Sequence, residues 1–106
     1  MLNNKIISLE LPSLPEIAIS IASKVKERRL EKNLTQEGLA RRADIKLPTY
    51  RKFEHTGEIS LKGLLKIAFA LDMLADFENL FSQRQYSSIE EVITDTHVKR
   101  KRGKKI

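Results

Sequence analysis

Residues 35–57, TQEGLARRADIKLPTYRKFEHTG, decide the fold. Their spacing predicts two short helices joined by a tight turn. Thr35 is a good N-cap, and Leu39, Ala40 and Ala43 follow at helical intervals. The second helix starts near Pro48, a residue tolerated in a first turn, where the N–H it lacks would have no intrahelical acceptor. That helix carries Tyr50, Phe53 and Glu54 along one face and can end at Gly57. Only Asp44, Ile45 and Lys46 lie between the two. Helices joined by so few residues cross steeply and need a small side chain at the crossing, which Ala40 supplies. Ile45 is the apolar residue in the turn able to tie both helices to a third. Lys46, Leu47, Pro48, Thr49, Arg51 and Lys52 are left to face outward.

Towards the N-terminus, a first helix is expected from about Pro15 to Lys32, with Ala18, Ile21, Ala22 and Val25 as its apolar stripe. The next position on that stripe is Arg29, a charge that asks for a partner. On the helix after the turn, Glu54 sits four residues beyond Tyr50 in an otherwise apolar row. Each irregularity explains the other, as a partly buried Arg29–Glu54 pair. Before the first helix, Lys5–Leu11 alternates Ile7, Leu9 and Leu11 with Ser8 and Glu10, which is strand period. A lone strand is not stable, so this arm either pairs with another chain or stays extended, held by a few side chains.

Towards the C-terminus, Ser60 caps a fourth helix whose Leu61, Leu64, Leu65, Ile67, Ala68 and Leu71 are apolar nearly all round, which predicts the centre of the core. Leu74, Phe77, Leu80 and Phe81 predict a short fifth helix that either closes the core or forms a dimer seam. SQRQYSS at 82–88 reads as a linker. Ser88 and Glu91 form a capping box ahead of a narrow strip of Ile89, Val92 and Ile93, too short to stand alone. The end, KRKRGKKI, has no pattern able to fold. The expected organisation is an extended arm at 1–12, an all-α domain at 13–81, and a linker, short helix and basic tail at 82–106.

Composition narrows the function. The 106 residues hold no cysteine, so disulfides and thiolate metal sites are excluded. No apolar run approaches a membrane span, and the start lacks the blocks of a signal peptide, so a cytoplasmic protein is expected. The net charge of +6 is unevenly spread: −1 over residues 1–20, +3 over 21–35, +2 over 36–56, −4 over 57–98 and +6 over 99–106. A neutral body with a basic half and an acidic half suits a phosphate-bearing partner on one side only. His55 follows Glu54 at a helix end, where a cation is favoured, and His97 stands beside Asp95 with no second ligand. With no nucleophile and base in register and no phosphate-cradling loop, the chain is expected to be no enzyme and to need no cofactor or metal.

Gln36 and Glu37, Leu39 and Ala40, Ala43, Ile45, Tyr50, Phe53 and Glu54, and Gly57 together resemble the helix-turn-helix of the Cro/lambda-repressor (XRE) family of DNA-binding regulators. The resemblance spans about residues 21–74. It departs where the family usually has Gly and this chain has Asp44, and where the family often has Glu and this chain has Gly38. Asp tolerates a left-handed turn, whereas Gly38 costs its helix up to about 1 kcal/mol against Ala and removes a capping-box partner for Thr35. The resemblance implies a five-helix, lambda-repressor-like domain that binds double-stranded DNA and supports an Arg29–Glu54 pair.

It further implies that Gln36 anchors the second helix on a phosphate and that the third helix lies in the major groove. Lys46, Thr49, Arg51 and Lys52 are then the candidates for base edges, Arg or Lys matching guanine O6 and N7. Leu47 and Pro48 offer apolar contacts, and Arg41 is a candidate for phosphate. A homodimer and a repressor role are expected, since one such module makes few base contacts. The whole arrangement also resembles HipB-like antitoxins, which repress their own operon and bind a kinase toxin. A toxin partner would then dock through residues 82–106.

Overall fold

The computed structural model describes residues 11–85. The arm up to Glu10, the Ser88–Glu91 box, the strip Ile89, Val92 and Ile93, and the basic end lie outside the described residues. Four α-helices, α1 (Leu14–Glu31), α2 (Gln36–Ala43), α3 (Leu47–Thr56) and α4 (Leu61–Ala70), are followed by a single 3-10 turn at Leu74–Phe77. Among the described residues there is no strand. The chain divides into a unit that ends at Ala75, which holds all four helices, and a second that begins at Asp76.

Each helix begins where a side chain satisfies first-turn N–H groups or where proline removes one. Ser13 and Glu16 form a capping box at α1: the Glu16 N–H donates to Ser13 Oγ at 3.2 Å, and the Ser13 N–H donates to Glu16 Oε1 at 2.8 Å. Thr35 Oγ1 accepts from the Gly38 N–H at 2.9 Å, and Ser60 Oγ from the Gly63 N–H at 3.0 Å. At α3 no side chain caps the start, and Pro48 sits in the first turn instead. The turn between α2 and α3 closes as its residues require. Asp44 takes the left-handed conformation at φ 58° and ψ 50°, and the Ile45 N–H reaches the Ala40 carbonyl at 2.9 Å.

α1 packs on α3, while α2 packs on both α3 and α4. The core between them is Ala22, Leu39, Ala40, Ala43, Tyr50, Phe53, Ile67 and Leu71, with Val25, Leu34, Ile45, Leu47, Ile59, Leu64, Ala70 and Met73 against it. Ala40, 2 % exposed, occupies the crossing that demanded a small side chain. Where α3 ends, Gly57 adopts φ 83° so close to α1 that an added Cβ would stand 2.6 Å from the Ala18 carbonyl carbon. No other residue type fits both demands.

Four expectations are corrected. Ile21 is exposed rather than buried with Ala22, because one residue of helix turns it about 100° away from the Ala22–Arg29 line that meets α3. α4 is not the centre of the core: Ile67 and Ala68 are buried, but Leu61 and Phe69 are 64 % and 72 % exposed. Leu47 does not face outward. It lies three residues before Tyr50 and seven before Glu54, shares their face and packs half-buried on the core. The fifth helix shrinks to the 3-10 turn, after which Leu80 and Phe81 are exposed. A few residues with no face to bury cannot offset the cost of nucleating an α-helix.

Candidate nucleic-acid interface

The charged pair inferred from two interrupted stripes is present and buried. Arg29 Nε donates to Glu54 Oε2 at 2.7 Å and Nη2 to Oε1 at 3.2 Å, with side chains only 8 % and 6 % exposed. The planar guanidinium thereby engages both carboxylate oxygens. Arg29 Nη1 also donates to the Leu34 carbonyl at 2.8 Å, so one side chain links α1, the approach to α2, and α3. Two more donors converge on Glu54: the Tyr50 hydroxyl on Oε2 and Gln36 Nε2 on Oε1, the latter at 2.9 Å. Tyr50 is fully buried and packs edge-on to Phe53, with ring centroids 6.1 Å apart.

The titration behaviour follows from that convergence. Burial pushes the Glu54 carboxyl up, but the hydrogen bonds from Arg29, Tyr50 and Gln36, with the charge on Arg29, outweigh it and hold the group below the ordinary carboxylate range. The hydrogen bond to Glu54 raises Arg29 further against the opposing effect of burial. Burial, then the bond to Glu54, raises the Tyr50 phenol. At neutral pH the cluster is a buried ion pair with all its carboxylate oxygens engaged.

The opposite side of α3 is a different environment. Lys46 precedes the helix, and Pro48, Thr49, Arg51, Lys52 and His55 are exposed along it. Pro48, Arg51, Lys52 and His55 fall at i, i+3, i+4 and i+7 and therefore share one outward face, with Thr49 at its flank. His55 is the member that sequence reasoning left out, although this spacing was there to be read. Lys52 pairs with Glu58 at 3.2 Å, both side chains more than half exposed. On α2, Arg41 and Arg42 are exposed, and Arg41 pairs with Glu37 at 3.3 Å. Such pairs contribute about 0–1 kcal/mol, so an incoming phosphate can displace them.

Gln36 connects the two environments. It is the first residue of α2, half-buried, and its backbone N–H is one of the four at a helix start that have no intrahelical acceptor. Its side-chain nitrogen is held by Glu54. Of the sequence-predicted residues, Gln36, Arg29 and Glu54 are brought into one cluster, Lys46, Pro48, Thr49, Arg51 and Lys52 into the exposed surface at α3, and Leu47 into a half-buried place against the core.

Two short helices, a three-residue turn that begins at the left-handed Asp44, and an exposed basic second helix braced from behind constitute a helix-turn-helix. Residues 25–74, just under half of the chain, match the family model described as helix-turn-helix. This segment is similar to helix-turn-helix domains of the XRE type. The match supports a DNA-binding regulatory module. No curated protein and no solved structure matches the chain. Among the described residues, no helix is long and apolar enough to cross a membrane.

Proposed function

We propose that the protein is a sequence-specific transcriptional regulator, acting as a repressor, that inserts α3 into the major groove of duplex DNA. The observation that carries this reading is the exposed face of α3, where Pro48, Arg51, Lys52 and His55 line up in solvent. Arg51 and Lys52 are the residues assigned to base edges, His55 and Thr49 to the rims of the same surface, and Lys46 and Arg41 to phosphates. Pro48 supplies an apolar contact. Gln36 anchors the start of α2 on the backbone through its N–H groups.

One such module reads too few base pairs to be selective, so the proposed form is a homodimer on two half-sites about 34 Å apart. The exposed Leu61 and Phe69 on α4 support an interface between copies, since eight residues bring them within about 80° of each other on one helix face. Selection from a random duplex library would yield the operator, and binding to it tests the assignment. Arg51→Ala and Lys52→Ala should each cost about 1–3 kcal/mol on that site and relax selectivity at the base each one reads. A double variant that binds as tightly and selectively as wild type removes α3 from the groove.

A further inference from the structure

The carboxylate of Glu54 does more than neutralise Arg29: it also accepts from Gln36 and Tyr50. An ionised carboxylate can only accept hydrogen bonds. The amide of Gln36 therefore has to face Glu54 with nitrogen and not oxygen, and it does so at 2.9 Å. A free glutamine at the start of a helix samples both amide orientations, and one of them presents a carbonyl oxygen that repels a phosphate. Held by Glu54, the amide uses one of its two hydrogens on the carboxylate and keeps the second for another acceptor, on the residue that opens α2, whose own backbone N–H has no intrahelical acceptor. Glu54 is itself immobilised by Arg29 from α1 and by Tyr50 one turn earlier on α3. The chain of contacts thus runs from the first helix, through the back of α3, to the donor that would meet DNA.

We propose that Glu54 is a positioning residue for DNA binding: it fixes the side-chain amide of Gln36 as a hydrogen-bond donor towards a backbone phosphate, so that Arg29, Tyr50 and Glu54 act on affinity through Gln36. The proposal rests on the DNA-binding reading above. It adds that a buried cluster with no exposed charge sets part of the phosphate contact.

The test is a mutant cycle on a short mixed-sequence duplex at low salt, because a phosphate contact does not depend on sequence. Gln36→Ala in the wild-type background should weaken binding about tenfold, the size of one well-placed charge-assisted hydrogen bond. The same change in a background of Arg29→Met, Tyr50→Phe and Glu54→Met should weaken it less than about threefold, because the amide is no longer held. Equal losses in both backgrounds, or no loss in either, overturn the proposal while leaving DNA binding intact. A wild-type protein that does not bind the duplex overturns the DNA-binding reading, and the proposal with it.

If the triple variant does not fold, the side-chain amide resonances of Gln36 in the wild-type protein decide. Their nitrogen and proton shifts should move on addition of the duplex at neutral pH, and that response should fade at acid pH as Glu54 takes up a proton. Amide signals indifferent to DNA, or a response that survives protonation of Glu54 in the still-folded protein, count against it.

Discussion

The two faces of α3 carry charge in opposite ways. Glu54, on the inner face, is nearly inaccessible and accepts four hydrogen bonds from three residues. Lys52, on the outer face, makes one loose pair with Glu58 and is 64 % exposed. The inner charge has lost its water and must be held by protein, so it fixes the geometry of three helices. The outer charge keeps its water, contributes little to stability, and is therefore available to a ligand. A helix-turn-helix needs both: a braced rear, so that a short helix of ten residues keeps its orientation, and an uncommitted front.

The sharpest way to break the inner face is to remove one partner only. Arg29→Met leaves the Glu54 charge buried without its counter-ion, for which a loss of about 3–5 kcal/mol is expected in a denaturant titration. Replacing Arg29, Tyr50 and Glu54 together by Met, Phe and Met removes the stranded charge and the stranded hydroxyl, and should be much milder. Single and triple variants with equal midpoints would mean that the cluster is held by packing and not by its charges. On the outer face, Arg51→Ala and Lys52→Ala should each change stability by less than about 0.5 kcal/mol while impairing DNA binding.

The join between the inner face and α1 offers the next largest effect. Gly57→Ala forces a side chain into the left-handed region, which costs about 1–2 kcal/mol, and sets its Cβ 2.6 Å from the Ala18 carbonyl carbon, so that α1 has to shift as well. A loss above about 2 kcal/mol is expected, larger than that at any exposed position of α3. A loss below about 1 kcal/mol would show that the end of α3 is free to move away from α1.

Acid probes the same contrast without a mutation. Glu54 has a folded-state pKa below its unfolded one, so its contribution to stability is complete above the unfolded carboxylate range and is lost as pH falls through the folded value. Urea midpoints of the wild type should therefore drop between about pH 5 and acid pH by more than those of the triple variant. Parallel pH profiles would place the acid sensitivity elsewhere.

How much of this was legible in the sequence depended on whether a residue broke a pattern. Arg29 and Glu54 each interrupt an apolar stripe, and two interruptions of opposite charge predict one another. Asp44 could be assigned to a left-handed turn because few residue types tolerate it, and φ 58° bears that out. The bond from Gln36 to Glu54 had no such signal, since Gln36 breaks no pattern and the two are 18 residues apart. α4 misled for the converse reason: an apolar residue on nearly every face leaves nothing to say which face is buried, so the exposure of Leu61 and Phe69 is set by what packs against the helix. Ser13 and Glu16 did carry a start signal for α1, one residue earlier than proline alone indicated.

The smallest expected effect lies at Gly38, on the front edge of α2, where propensity and packing oppose each other. Alanine there would gain up to about 1 kcal/mol over glycine in helix propensity. Its Cβ would stand 3.5 Å from Leu34 Cδ2, an ordinary contact, but 3.2 Å from Thr35 Oγ1, which has to yield by a few tenths of an ångström. That oxygen is the N-cap acceptor of the Gly38 N–H at 2.9 Å, a bond whose loss costs about 1 kcal/mol. Thr35 is exposed, so its side chain can turn slightly and keep a weakened cap. Gly38→Ala is therefore expected to stabilise the protein by about 0.5 kcal/mol, about half of the propensity difference, as a small rise in melting temperature. A full gain of about 1 kcal/mol would show that the cap adjusts at no cost, and a net loss that Thr35 is released.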